Sequence, residues 1–410
     1  MPFGSGDDLR VLLFTDTLAD VNGVARFIGD LAREARRREI GLTVVTSTDL
    51  PLAPASNVVN LTPRAAGAMP GYPLLRLVPP PLARARALVR AARPHAVHLS
   101  TPGPVGFAGL LAARAARVPI LATYHTDFPA YIEELWHDPS FSWLCRSAMR
   151  AFYAPVSKVF TRSVSYARGL HGLGIHCRRI TSLRPGTDTE AFHPRFRDRS
   201  IWPALGCAAR SIKVLSMGRV SVEKNLPLLA RAWPVALAAM EARGLDVELV
   251  VVGDGPYRAC MEQELAGSGA RARFLGFRHG RELSTIYASS DLLVFPSETD
   301  TLGQVVMEAQ SSGIPVIVSS VGGPREVTRH GRTGLIIPES RPGLWADAIA
   351  DLAGDEARRR DMGQAARALM EEHAFPRSFE HWWDVHRRVV DGQVKSSEER
   401  HAGAERLVRT

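Results

Sequence analysis

Two carboxylates, Asp300 and Glu308, stand eight positions apart in the stretch Phe295-Pro-Ser-Glu-Thr-Asp-Thr-Leu-Gly-Gln-Val-Val-Met-Glu-Ala309. The apolar run before it reads as a strand and the pattern after Gly303 as a helix, which makes the segment a strand-to-helix turn. Such a turn gathers unpaired backbone N–H groups at the positive end of a helix dipole, a place suited to an anion or a sugar hydroxyl. In a helix that spacing separates the carboxylates by at most about 12 Å, within reach of opposite ends of one elongated ligand. Glu298 is the alternative to Asp300 at the first position. The bland reading of both is as surface charges near a helix start.

Cations of complementary chemistry lie in Met217-Gly-Arg-Val-Ser-Val-Glu-Lys-Asn225, again between a strand and a helix. The Arg219 fork and the Lys224 point charge are suited to phosphate oxygens. Val251-Val-Gly-Asp-Gly-Pro256 ends another strand with glycines that let a backbone approach a ligand closely, and Phe274-Leu-Gly-Phe277 ends a third. Nearer the N-terminus, Asp20-Val-Asn-Gly-Val24 links a strand to a helix, and Tyr124-His-Thr-Asp-Phe128 puts His125 at a strand's C-terminal end.

Together these segments resemble the retaining glycosyltransferase family 4. Asp300 to Glu308, with Phe-Pro-Ser before and Ser312-Gly-Ile-Pro-Val after, is similar to the family's Glu-x7-Glu motif, Asp300 being one methylene shorter than the usual first Glu. Residues 217–225 resemble its Gly-Arg-x-x-x-x-Lys loop, Asn22-Gly23 its Gly-Gly-Val loop with Asn for the first glycine, and Leu183–Pro194 its Pro-x-Gly-x-Asp-x-x-x-Phe segment. His98–Gly106 and Tyr124–Pro129 are most similar to the branch holding diacylglycerol glycosyltransferases, sulfoquinovosyl transferases and lipid mannosyltransferases.

The resemblance implies a GT-B fold: two Rossmann-like α/β domains facing a cleft, with a C-terminal helix returning to the first. It implies that Glu308 takes the ribose hydroxyls, while Asp300 and the backbone of Thr301, Leu302 and Gly303 take hydroxyls of the transferred sugar. Arg219 and Lys224 then stabilise the leaving diphosphate in place of a metal. Gly253 and Phe277 approach the nucleotide and its base, Gly23 the diphosphate, and His125 the sugar; Gly186 and Asp188 are hinge structure. The resemblance also implies transfer with retention, by a double displacement or by departure and attack on one face, the second being favoured. UDP-glucose is the first donor to expect and GDP-mannose the second, with a lipid acceptor such as diacylglycerol. A soluble sugar acceptor, or a non-catalytic sugar-nucleotide-binding protein, are the alternatives.

The elements that must hold these residues are legible too. Apolar runs Val11–Phe14, Leu42–Thr46, Ala96–Leu99, Ile120–Tyr124 and Val159–Thr161 alternate with helical patterns, the signature of a parallel sheet. A second series follows: Lys213–Ser216, Val247–Val252, Ala272–Leu275, Leu292–Phe295, Pro315–Val318 and Gly334–Ile337. We therefore expect an N-terminal acceptor domain over 1–198, a donor domain over 208–375, a returning helix over 376–392 bearing Trp382 and Trp383, and a mobile tail over 393–410. No Gly-x-Gly-x-x-Gly, Walker, Gly-x-Ser-x-Gly, His-Glu-x-x-His or Asp-x-Asp pattern occurs, which argues against dinucleotide, NTPase, hydrolase and metal-dependent readings.

The 410 residues carry a net charge of +9, and residues 1–200, with 25 Lys/Arg against 15 Asp/Glu, hold all of the excess. Without aromatic-plus-basic nucleic-acid motifs, an anionic membrane surface is the expected partner. Arg86, Arg90 and Arg93 fall on one side of a helical stretch, and Tyr124 with the nearby Tyr72, Trp136, Phe141 and Trp143 extends the acceptor or membrane surface. An acidic start and no membrane-length apolar run predict a cytoplasmic protein at the inner membrane face, with no cofactor or metal. Cys145, Cys177, Cys207 and Cys260 show no paired spacing and read as buried thiols.

Overall fold

The computed structural model describes residues 8–20, 23–63, 66–69, 72–125, 139–162, 164–300 and 302–408, with backbone only at 68–69, 72–77, 139–142, 164–165 and 393–408. Two compact units divide the chain, Met1–Arg184 with Phe379–Thr410, and Pro185–Ser378. The division falls upstream of the 198–208 stretch expected between the two domains. Trp202 is buried there against the second unit's Tyr287 and Phe295 cluster, so that stretch is built into the second unit.

The first unit is a seven-stranded sheet in the order β3-β2-β1-β6-β7-β8-β9. Its strands are β1 (Arg10–Phe14), β2 (Gly41–Thr46), β3 (Val58–Asn60), β6 (Ala96–Leu99), β7 (Ile120–Tyr124), β8 (Lys158–Thr161) and β9 (Ile180–Ser182), all paired in parallel. A separate antiparallel pair, β4 (Gly67–Met69) and β5 (Tyr72–Leu77), precedes the helix Leu82–Ala92. The second unit is a six-stranded parallel sheet in the order β12-β11-β10-β13-β14-β15. These are β10 (Ile212–Met217), β11 (Val247–Val252), β12 (Ala272–Phe274), β13 (Leu292–Phe295), β14 (Val316–Ser319) and β15 (Gly334–Ile337). Helices cover both faces of each sheet, which is why strands such as Val247–Val252 are apolar and buried at nearly every position.

Both orders reverse once, between β1 and β6 and between β10 and β13. At such a reversal the loops leaving the two central strands diverge to opposite faces and open a crevice beyond their carboxyl ends. Gly23, Arg219, Lys224 and Asp300 follow those central strands, whereas His125, Gly253 and Phe277 follow their neighbours β7, β11 and β12.

The last helix, Phe375–Val408, packs on the first unit's sheet. Phe379, Trp382, Trp383, His386 and Val390 recur at helical spacing and are buried. His386 Nδ1 lies 2.8 Å from the Trp382 carbonyl and must donate to it, so Nε2 accepts from His98 Nδ1 at 3.0 Å. His98 Nε2 then accepts from the Thr123 hydroxyl at 2.9 Å. This chain needs both rings neutral, and burial drives both below the usual histidine range, His386 to about 4. The helix runs on to Val408, and the stretch from Gln393 to Val408 contains no proline to stop it.

No disulfide joins the cysteines, and only Cys207 is buried; Cys177 and Cys260 are exposed, against the expectation of four buried thiols. No helix among the described residues is long and apolar enough to cross a membrane.

Candidate active site

In the second unit the reversal point lies between two loops that the sequence singled out. The loop after β10 carries Arg219 and Lys224, and the loop after β13 carries Asp300. They meet through Lys224 Nζ, 2.6 Å from Asp300 Oδ2, with both side chains three-quarters buried. Arg219 donates to Glu223 within its own loop. Glu298 instead accepts from the Ser340 hydroxyl, so of the two alternatives it is Asp300 that faces the cations. A recess lined by Met217, Gly218, Arg219, Lys224, Val251 and Phe295 opens at this point.

The glycines of these loops have backbone reasons. Gly218 and Gly253 adopt φ of 128° and 127°, and a Cβ on Gly253 would stand 1.9 Å from the Gly218 carbonyl oxygen. Gly253 N–H also donates to the Gly276 carbonyl at 2.9 Å. Close backbone packing alone therefore requires glycine at 253, and it ties the Arg219 loop to those after β11 and β12. Phe277 follows, half exposed and stacked on His279.

Gly303 caps the helix Gln304–Ser311 at φ 72°, with Leu302 buried beside it; Thr301 lies outside the described residues. A Cβ on Gly303 would press on Pro324 at 3.0 Å, and the Gly323 N–H donates to the Asp300 carbonyl at 2.7 Å. The turn Val321-Gly-Gly-Pro324 thus braces the Asp300 loop, a role sequence reading missed although the glycine pair after an apolar run was a signal. Glu308 is 1% exposed and accepts from the Tyr287 hydroxyl at 2.9 Å. Tyr287 comes from a neighbouring helix, and nothing in its local sequence marks it.

The first unit's reversal point holds another group. Asp16, missed by sequence reading, lies two residues beyond β1 and accepts from the Thr101 hydroxyl at 2.6 Å and from Val105 N–H at 2.7 Å, at the start of the helix Pro104–Ala116. Burial pushes its carboxyl above the usual range against those hydrogen bonds. His125 is buried, with Nε2 3.1 Å from the Ser100 hydroxyl and its ring edge-on to Phe27. Burial first, then the charge of Arg162, hold the imidazole well below its ordinary range, so it is neutral near pH 7. Gly23 opens the helix Gly23–Arg37, and a Cβ there would meet nothing within 4 Å.

Tyr124 is a correction. It is fully buried, with ring centroids 5.7 Å from Tyr153 and 5.6 Å from Tyr166, and it belongs to the core rather than to a surface. Strand β7 is central and covered on both faces, so its last residue points into packed helix. Arg86, Arg90 and Arg93 are exposed, while Ala85 and Val89 face inward as the periodicity required. Trp136 lies outside the described residues, as do the side chains of Tyr72 and Phe141; Trp143 is 69% exposed. Among the described residues no group of three or more His, Cys, Asp or Glu is placed to hold a metal ion.

Two Rossmann-like units with polar loops at their reversal points are the architecture expected of a GT-B protein. The model for glycosyltransferase family 4 matches residues 21–191, and that for glycosyl transferases group 1 matches residues 203–369. A GDP-mannose-dependent alpha-mannosyltransferase of Mycolicibacterium smegmatis is 30% identical over 380 residues, covering 90% of this chain and 94% of that protein. The chain belongs to this glycosyltransferase family. A sulfoquinovosyl transferase of Arabidopsis thaliana is 34% identical over 292 residues, 68% of this chain and 54% of that protein, so the match spans about half the length of the plant protein. The crystal structure of an Anabaena protein, HepE, in complex with UDP and glucose shares the fold at a TM-score of 0.71 and 19% identity, covering 92% of this chain and 98% of that one.

Proposed function

We propose that this glycosyltransferase moves a hexose from a nucleotide diphosphate sugar to a lipid acceptor, with retention and without a metal ion. The observation that carries the donor half is the Lys224–Asp300 pair between the loops that flank the β10/β13 reversal point, with Arg219 lining the same recess as Lys224. Two cations there receive the diphosphate and absorb the charge that builds as the sugar departs, work that a divalent metal does elsewhere. Asp300 and the backbone around Gly303 hold sugar hydroxyls, and Glu308, fixed by Tyr287, holds the ribose. Gly253 and Phe277 face the nucleotide. Gly23 and His125 serve the diphosphate and the sugar from the first unit; a neutral imidazole there is a hydrogen-bonding group, not a permanent cation.

UDP-glucose is the favoured donor, a reading that the UDP and glucose held by the Anabaena protein supports. GDP-mannose is the second, favoured by the mycobacterial relative. For the acceptor, the helices Leu82–Ala92, Pro104–Ala116 and Pro139–Tyr153 contain no acidic residue and share one core. They expose Arg84, Arg86, Arg90, Arg114, Arg146 and Arg150 together with Phe107, Leu111, Trp143 and Leu144, and Arg117, which caps the second helix, is exposed beside them. That mixture suits the headgroup region of an anionic bilayer. A protein that binds there from the cytoplasmic side meets its lipid acceptor in place.

Radiolabelled UDP-glucose and GDP-mannose supplied with diacylglycerol in anionic mixed micelles test the scheme. Labelled α-glycolipid is expected, with turnover unchanged by excess EDTA. Transfer to soluble sugars alone, or loss of activity with the chelator, overturns the acceptor or the metal-independent half respectively.

A further inference from the structure

The two cations of the donor site are not held alike. Lys224 is paired across loops with Asp300, each side chain 24% exposed, whereas Arg219 is paired with Glu223 four residues on, at 45% and 43% exposure. The backbone of Glu223 is pinned: its carbonyl accepts from the Thr299 hydroxyl at 2.9 Å, and Asn225 after it sits at φ 55° with Nδ2 3.4 Å from the Pro296 carbonyl. The carboxylate end, near solvent, is free to swing once it exchanges its hydrogen bonds from Arg219, Ser221 and its own backbone N–H for water. Turning it into water costs little, because exposed ion pairs are nearly balanced against hydration. Leaving it in place beside an incoming diphosphate sets like charges against one another.

We propose that Glu223 is a displaceable counter-ion: it occupies Arg219 in the empty site, is evicted by the donor diphosphate, and reclaims the guanidinium as the nucleoside diphosphate leaves. This rests on the reading that Arg219 and Lys224 bind the diphosphate. Its consequence is a site tuned for release: the affinity of the product is held down by a competitor built into the loop, while Lys224 stays aligned by its better-buried partner.

The test is calorimetric titration of UDP and GDP into the wild type, Glu223→Gln, Glu223→Asp and Lys224→Ala, at low salt and in 1 M salt. At low salt the nucleotide that binds the wild type is expected to bind Glu223→Gln about two- to fivefold more tightly. Glu223→Asp, which keeps the charge, should return toward the wild type. In 1 M salt, where screening shortens to about 3 Å, the gain should largely vanish. Equal or weaker binding by Glu223→Gln, with Lys224→Ala still impaired, sinks the counter-ion and leaves the diphosphate site standing. If Lys224→Ala also binds like the wild type, the diphosphate reading falls with it.

Discussion

Glu308 and Lys224 show how differently two residues of one site depend on their surroundings. Glu308 is buried and takes a hydrogen bond from Tyr287, so its orientation is set by a helix remote in sequence. Tyr287→Phe should leave the fold intact yet raise the donor KM several-fold, since a side-chain hydrogen bond contributes about 0.5–1.5 kcal/mol. Lys224 instead works by charge, and Lys224→Ala is expected to lower kcat/KM for the donor by about a hundredfold or more. Steady-state kinetics with varied donor separates the two, and full activity in Lys224→Ala contradicts the proposed role. His125 was legible as a residue at a strand end; its neutrality was not, because burial and Arg162 impose it. Tyr124, one position earlier, was misread because alternation along a strand does not tell a doubly covered sheet from a rim.

At the scale of elements, the loops at the sheet edges divide into those built by protein packing and those that leave room. Gly253→Ala forces a Cβ to 1.9 Å from a carbonyl oxygen at φ 127°, and we expect it to cost about 3 kcal/mol or more, read as a large fall in melting temperature. Gly23→Ala meets no protein atom within 4 Å and should melt within about 0.5 kcal/mol of the wild type while slowing transfer, if the diphosphate passes there. The last helix makes a different prediction. His98 and His386 are held neutral with pKa values below the unfolded value of about 6.5, so below that pH the unfolded chain binds protons that the native state refuses. Stability present above pH ~6.5 is lost as pH falls toward the native value near 4, by up to about 1.4 kcal/mol per pH unit for each ring. Thermal melts from pH 7.5 to 5 should show this slope, and His386→Gln should reduce it. An unchanged slope would remove the pair as its cause.

Across the whole molecule, charge is the most uneven property: residues 201–410, with 26 Lys/Arg against 27 Asp/Glu, are nearly neutral, and the first half carries the excess. If the exposed arginines and aromatics of the first unit meet a bilayer, Arg86→Glu with Arg90→Glu should reduce sedimentation with anionic vesicles by more than tenfold, each basic residue contributing about 1 kcal/mol. Raising salt should do the same to the wild type, and neutral vesicles should bind poorly. Equal binding to neutral and anionic vesicles would remove the electrostatic account.

All eleven strands expected from the apolar runs are present, shifted by at most a residue or two at their ends, because a strand buried on both faces must be apolar throughout and so announces itself. The strands that went unread, Val58–Asn60, Ile180–Ser182 and the pair Gly67–Met69 and Tyr72–Leu77, are short edge or hairpin pieces whose pairing comes from neighbours rather than from a long apolar run. The sequence by itself determined the two α/β units and the loops that bear the chemistry, since period and motif are local properties. Tertiary structure alone decided that Lys224 meets Asp300, that Tyr287 reaches Glu308, that Asp16 lies under the helix at Pro104, and that His98 pairs with His386. Those contacts join residues 21 to 288 positions apart, and it is the strand order, together with the helices packed on each sheet, that brings such residues together.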